Sequence, residues 1–149
     1  MSILITFKNE FERIALLKSA AFTNKKHSEI EKFAQGYDFA QPLINYVPIE
    51  RIRHNIGASS QMIYKGDVRI QFLTKAVLSD NFETTKDLLI DQMLGLSEAF
   101  FRTLFADNNR VFNNPEWDLS SQTLRFHTAN YLVGIESTIT FTTACNRLN

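Results

Sequence analysis

The apolar positions of this chain follow a helical period in the first and middle thirds and a period of two near the end. Phe7, Phe11 and Ile14, continued by Lys18 and Ala21, keep a spacing near 3.6 and predict an N-terminal helix with an apolar stripe. Asn24-Lys25-Lys26-His27 interrupts it. Ser28-Glu29-Ile30-Glu31 then has the form of a capping box, with the Ser hydroxyl accepting from the backbone while Glu31 reaches back. It predicts a short helix to Gln35 that turns Ile30, Phe33 and Ala34 inward, with Gly36 as a left-handed stop. Leu43, Ile44, Tyr46, Val47 and Ile49 read as a strand over residues 42–50. Its prolines at 42 and 48 cannot donate to a ladder, so the strand is expected at an edge or with a bulge. Residues 51–60 read as an irregular loop around Gly57. Over 68–74, Val68, Ile70 and Phe72 alternate with Arg69, Gln71 and Leu73, a strand with one mostly solvated face.

The longest predicted element spans residues 80–107. Asp80-Asn81-Phe82-Glu83 opens it, and Asp80, Glu83, Asp87 and Asp91 place negative charge toward the positive end of the helix. Leu89, Met93, Leu96, Phe100 and Leu104 form one stripe, with Ile90, Leu94, Phe101 and Phe105 beside it, so burial is expected to be broad. Residues 108–122, with Pro115 and Trp117, read as a loop. Strands over 124–128 and 133–143 close the chain through a turn at Thr128-Ala129-Asn130-Tyr131, and Ser137 is the one polar break on the inner face. This order predicts an α+β fold, a mainly antiparallel sheet of about four strands packed on one long helix, with a helical N-terminal part. Residues 1–149 read as a single domain.

Charge narrows the partners. Sixteen basic and sixteen acidic residues cancel to +0, which argues against a dedicated binder of nucleic acid or anionic membrane. No apolar run approaches the ~20 residues of a membrane span. Cys145 is the one cysteine, so an internal disulfide is excluded and a soluble intracellular setting is expected. Thirteen Phe stand against one Trp and four Tyr. Phe has no polar handle, and this load exceeds what a core of this size is expected to need, which leans toward subunit contacts.

Site chemistry is sparse. His27, His54 and His127 lie in unrelated segments without a second ligand at helical spacing, and Cys145 has no base beside it. Five scattered glycines build no phosphate loop. Residues 107–118 imitate a calcium loop in length, yet Val111, Phe112 and Asp118 stand where a ligand, a Gly and a bidentate Glu are required. No catalytic, cofactor-binding or metal-binding residue is therefore assigned. Lys25-Lys26-His27 and Arg51-Ile52-Arg53-His54 are the basic clusters, either solvated or in contact with a phosphate backbone.

With the elements in this order, the chain resembles the tail-terminator (tail-completion) proteins of long-tailed bacteriophages. The resemblance is one of pattern and covers roughly residues 7–143: the strands at 42–50 and 68–74, the helix at 80–107, and the strands at 124–128 and 133–143. It implies a structural virion protein, without enzymatic activity or cofactor, that is assembled in the host cytoplasm and resides in the tail neck. Copies would form a ring, a hexamer in this family, that caps the tail tube and joins it to the head–tail connector. The implied partners are further copies of the chain, the tail tube protein, the connector and passing DNA, with no membrane. On this reading Lys25, Lys26, Arg51 and Arg53 face the DNA in the lumen. Phe112, Trp117 and Phe82 meet a neighbour or the tube, and Phe39 is left under-satisfied in an isolated copy. The alternatives are another neck protein (a connector or stopper), a cap of a contractile injection machine, or a small-molecule-binding α+β domain, for which the sequence shows no cluster of polar groups.

Overall fold

The computed structural model describes residues 3–56, 62–76, 82–106, 112–125 and 132–145. Its elements are α1 (Ile3–Leu17), β1 (Ala21–Thr23), α2 (His27–Gln35), β2 (Leu43–Val47), β3 (Ile52–Ile56), β4 (Met62–Lys75), α3 (Phe82–Ala106), β5 (Phe112–Arg125) and β6 (Leu132–Cys145). The class is α+β, as the pattern predicts. The sheet is larger than expected: six strands among the described residues, in the order β1-β2-β4-β6-β5, with β3 also pairing β4. The β1–β2 pair is parallel and every other pair antiparallel, so the sheet is mixed.

Local chemistry explains most boundaries. The first helix stops at Leu17, short of the predicted stripe, because Ser19 takes a left-handed φ of 56°. Ala20 N–H then donates to Ala15 O at 3.0 Å and Ser19 N–H to Leu16 O at 3.1 Å, the paired bonds of a Schellman stop, with both alanines buried. Ala21 thereby enters β1 instead of continuing the helix. The Ser28 capping box does not form, and the helix starts from Lys26 without a side-chain cap. The cause is Asn45, whose amide holds both the N–H and the C=O of Lys25 (2.8 and 3.0 Å) and fixes the chain just before the helix. Gly36 has φ −93°, so it ends α2 without left-handed geometry.

Pro42 and Pro48 lie just outside β2, which leaves the ladder intact. The strand is fully buried between β1 and β4 and is not an edge. Residues 52–56, expected to be irregular, form β3 against Ile63 and its neighbours on β4. The expected loop at 108–122 is corrected too. Residues 112–125 form a fourteen-residue strand along β6, and a register shift between Asn113 and Glu116 absorbs Pro115. An extended strand over 112–118 also removes any calcium-loop geometry there. The turn at 128–131 lies outside the described residues.

Two helices, not one, cover the main core. Phe7, Phe11 and Ile14 of α1 and Met93, Phe100, Phe101 and Leu104 of α3 pack on Ile44, Tyr46, Val68, Ile70, Phe72, Ile135, Ile139 and Phe141. The Phe100 ring meets Phe72 at 5.4 Å and Phe11 at 5.8 Å between centroids. On the opposite face α2 sets Ile30 and Ala34 on Leu43, Leu73 and Leu132. Every Phe whose side chain is described is in one of these clusters or packs against it. Phe39 is among them, half-buried beside Tyr37 at 4.7 Å. Gly134 marks a close strand approach, since a Cβ there would stand 1.8 Å from the Phe72 carbonyl oxygen.

Candidate functional site

The α2 face of the sheet carries the polar chemistry. Alternation along β2, β4 and β6 turns Asn45, Gln71 and Glu136 away from the aromatic core, and the register sets them side by side: Thr23 opposite Asn45, Asn45 opposite Gln71, Gln71 and Gln122 opposite Glu136. Thr23 Oγ1 donates to Asn45 Oδ1 (2.9 Å), Asn45 Nδ2 to Gln71 Oε1 (3.0 Å), and Gln71 Nε2 to Glu136 Oε2 (2.8 Å). Gln122 Nε2 reaches Glu136 Oε1 at 3.3 Å. A single row of hydrogen bonds thus crosses five strands.

The row has a fixed direction. The Lys25 N–H can only donate and its C=O can only accept, which orients the Asn45 amide; Asn45 in turn orients Gln71. The second N–H of Gln71 points to His27 Nδ1 at 2.8 Å, so that nitrogen accepts and a neutral His27 carries its proton on Nε2. Gln71 is fully buried and Glu136 nearly so, and the burial penalty of the carboxylate is offset by the two amide donors.

Beyond this row the face is open. The ladder of β2 ends at Val47 opposite Arg69 and that of β3 begins at Ile52 opposite Gly66, so Asp67 and Val68 of β4 have no strand partner on that side. The chain from Pro48 to Arg51 arches around the gap and leaves a pocket of about 360 Å³ lined by Arg51, Arg53, Lys65 and Arg69 with Glu50 and Asp67. Asp67 accepts from Thr140 Oγ1 at 2.7 Å. Among the described residues, none of the four cations is within salt-bridge distance of a carboxylate.

Of the residues singled out in the sequence, Arg51 and Arg53 therefore meet in one pocket. Lys25 and Lys26 stand apart, before α2, with Lys25 Nζ 5.7 Å from the centre of the Phe33 ring. His27 joins the polar row, and the His54 ring lies tilted beside Tyr64, 6.3 Å between centroids. Phe82 opens α3 and Phe112 and Trp117 belong to β5, Trp117 opposite Phe141, while their side chains lie outside the described residues, as do His127 and the Cys145 side chain. Among the described residues no three His, Cys, Asp or Glu come together as a metal site, and no helix is long and apolar enough to cross a membrane.

Sequence reasoning missed Asn45, Gln71, Glu136, Lys65 and Arg69. An alternating strand does not reveal that a helix covers its second face, and the β3–β4 pairing that adds Lys65 is non-local. The chain matches no family model and no curated protein.

Proposed function

We propose that this chain is a structural ring subunit of the tail-terminator type, capping the tail tube of a long-tailed phage and joining it to the head–tail connector. The observation that carries this reading is the outer edge of β5, which no other strand pairs among the described residues. From Asp118 to Thr123 its side chains are exposed on both faces of the sheet, so the strand runs out past the helices that cover its neighbours. Sheet edges of monomers are commonly guarded by Lys, Pro or bulges. Here Pro115 and the register shift guard only the first part, and Asp-Leu-Ser-Ser-Gln-Thr-Leu over 118–124 holds a single charge. Such an edge accepts a strand of another copy, and in a ring each copy offers this patch to a different patch of its neighbour.

Phe112 and Trp117 on the same strand, and Phe82, are the apolar residues assigned to this contact or to the tube. Arg51 and Arg53, with Lys25 and Lys26 apart from them, are assigned to the lumen. No catalytic role is assigned to His27, His54, His127 or Cys145. A stopper or connector subunit shares these features and differs in its place in the particle. The test is Leu119→Lys combined with Thr123→Lys, which places the usual edge guard on two exposed positions. The variant is expected to keep its melting temperature and to yield tails of uncontrolled length. Normal tails with this folded variant would overturn the reading.

A further inference from the structure

We infer that the gap between β2 and β3 is a phosphate-binding site, formed by Arg51, Arg53, Lys65 and Arg69. It deepens the assignment of Arg51 and Arg53 above, but it stands on the pocket and needs no ring. Three observations carry it. The chain is neutral overall, yet this one opening gathers four cations against Glu50 and Asp67. Strand register aligns three of them: Arg53 lies opposite Lys65 and Val47 opposite Arg69, so Lys65, Asp67 and Arg69 share one face at alternate positions of a single strand, and Arg51 comes from the chain just before β3. No described carboxylate is within salt-bridge distance of any of the four, and the two that line the pocket, Glu50 and Asp67, leave its cations in excess; Asp67 accepts from Thr140.

Three guanidinium forks and one ammonium around an open pocket match the tetrahedral oxygens of a phosphate, which Arg binds bidentately and Lys as a point charge. A carboxylate ligand would leave most of these donors unused. The phosphate has two possible sources, a free phosphate ion or the phosphodiester backbone of passing DNA. The cations that line the pocket are suited to phosphate oxygens, so binding to DNA through it would be independent of sequence.

The test uses the purified full chain in two arms, inorganic phosphate and a mixed-sequence DNA duplex of about 20 base pairs, each titrated at several salt concentrations. The reference variant is Arg53→Gln with Arg69→Gln, and Arg53→Lys with Arg69→Lys serves as its charge-retaining control. The duplex is expected to bind with an affinity that falls as salt rises, and the Gln pair is expected to lower both the affinity, at least tenfold at low salt, and the salt slope, by about one to two phosphate contacts. The Lys pair should retain most of the binding. Phosphate binding that the Gln pair abolishes, with no duplex binding, supports the site and assigns it to the free ion. Binding of neither probe, or equal binding by wild type and a folded Gln pair, overturns the inference. A chain that binds phosphate but forms no ring leaves this site standing and counts against the ring.

Discussion

The two faces of the sheet hold their strands together by different means. Toward α1 and α3 the central positions are Ile44, Ile70, Phe72, Ile135 and Phe141, tied to Phe7, Phe11 and Phe100 by ring contacts that any close-packed apolar set can replace in part. Toward α2 the central row is Thr23, Asn45, Gln71, Glu136 and Gln122, joined by hydrogen bonds that work in one arrangement only. A slip of β4 by one residue would put Gln71 into the Phe cluster and Phe72 against Asn45. The aromatic face therefore supplies most of the stability, whereas the polar row fixes the register of five strands. Buried polar groups are known in other systems to specify one arrangement at little net gain in stability.

Substitutions on each face separate the two contributions. Phe100→Ala is expected to cost about 3–5 kcal/mol, since it empties the junction between α3, α1 and β4; a shift of under about 1 kcal/mol in denaturant unfolding would remove this ring from the centre of the core. Gly134→Ala is expected to cost about 3 kcal/mol or more, because the new methyl would meet backbone that cannot turn away. Its readout is the same unfolding curve, and a stable variant would mean that β4 and β6 do not approach so closely. Gln71→Leu removes the amide that joins Asn45 to Glu136 across β4, leaving the buried Asn45 amide and Glu136 carboxylate each one hydrogen bond short, and should cost about 1–3 kcal/mol. Amide spectra of this variant should show disturbance across β2, β4 and β6 together; a change confined to β4 would contradict the register role.

Tyr46 gives the smallest effect. Burial pushes its phenol well above the usual 10.0, so the folded chain holds it neutral while the unfolded chain ionises. The folded pKa is the raised one, so its contribution is complete below pH 10 and is lost progressively above it. Tyr46→Phe should leave stability at pH 7 within about 1 kcal/mol and flatten the decline seen above pH 10. An unchanged decline would assign it to other groups.

The sequence was legible where an element meets one covering layer. The stripe from Leu89 to Leu104 faces a single apolar core, as do the odd positions of β6 from Val133 to Phe141, where Ser137 sits buried as its position predicts, bonded to Ser121 at 2.8 Å; the burial of Glu136 on the other face of that strand was not legible. Legibility ended where neither or both faces were covered. The β5 segment has no alternation because its central residues face water on both sides, and the seam between β2 and β3 depends on pairing with β4 that local pattern does not encode. For the same reason Arg51 and Arg53 were visible as a basic cluster, but not Lys65 and Arg69 as their companions.

In the proposed assembly, copies of this chain join through the β5 edge into a closed ring at the end of a tail tube. Imaging of tail tubes with bound wild-type protein shows whether they do. The expected result is a ring of identical subunits on the tube end with β5 of each copy in the contact between neighbours. A head–tail junction without this protein, or a ring whose subunits meet with β5 left free, would contradict it.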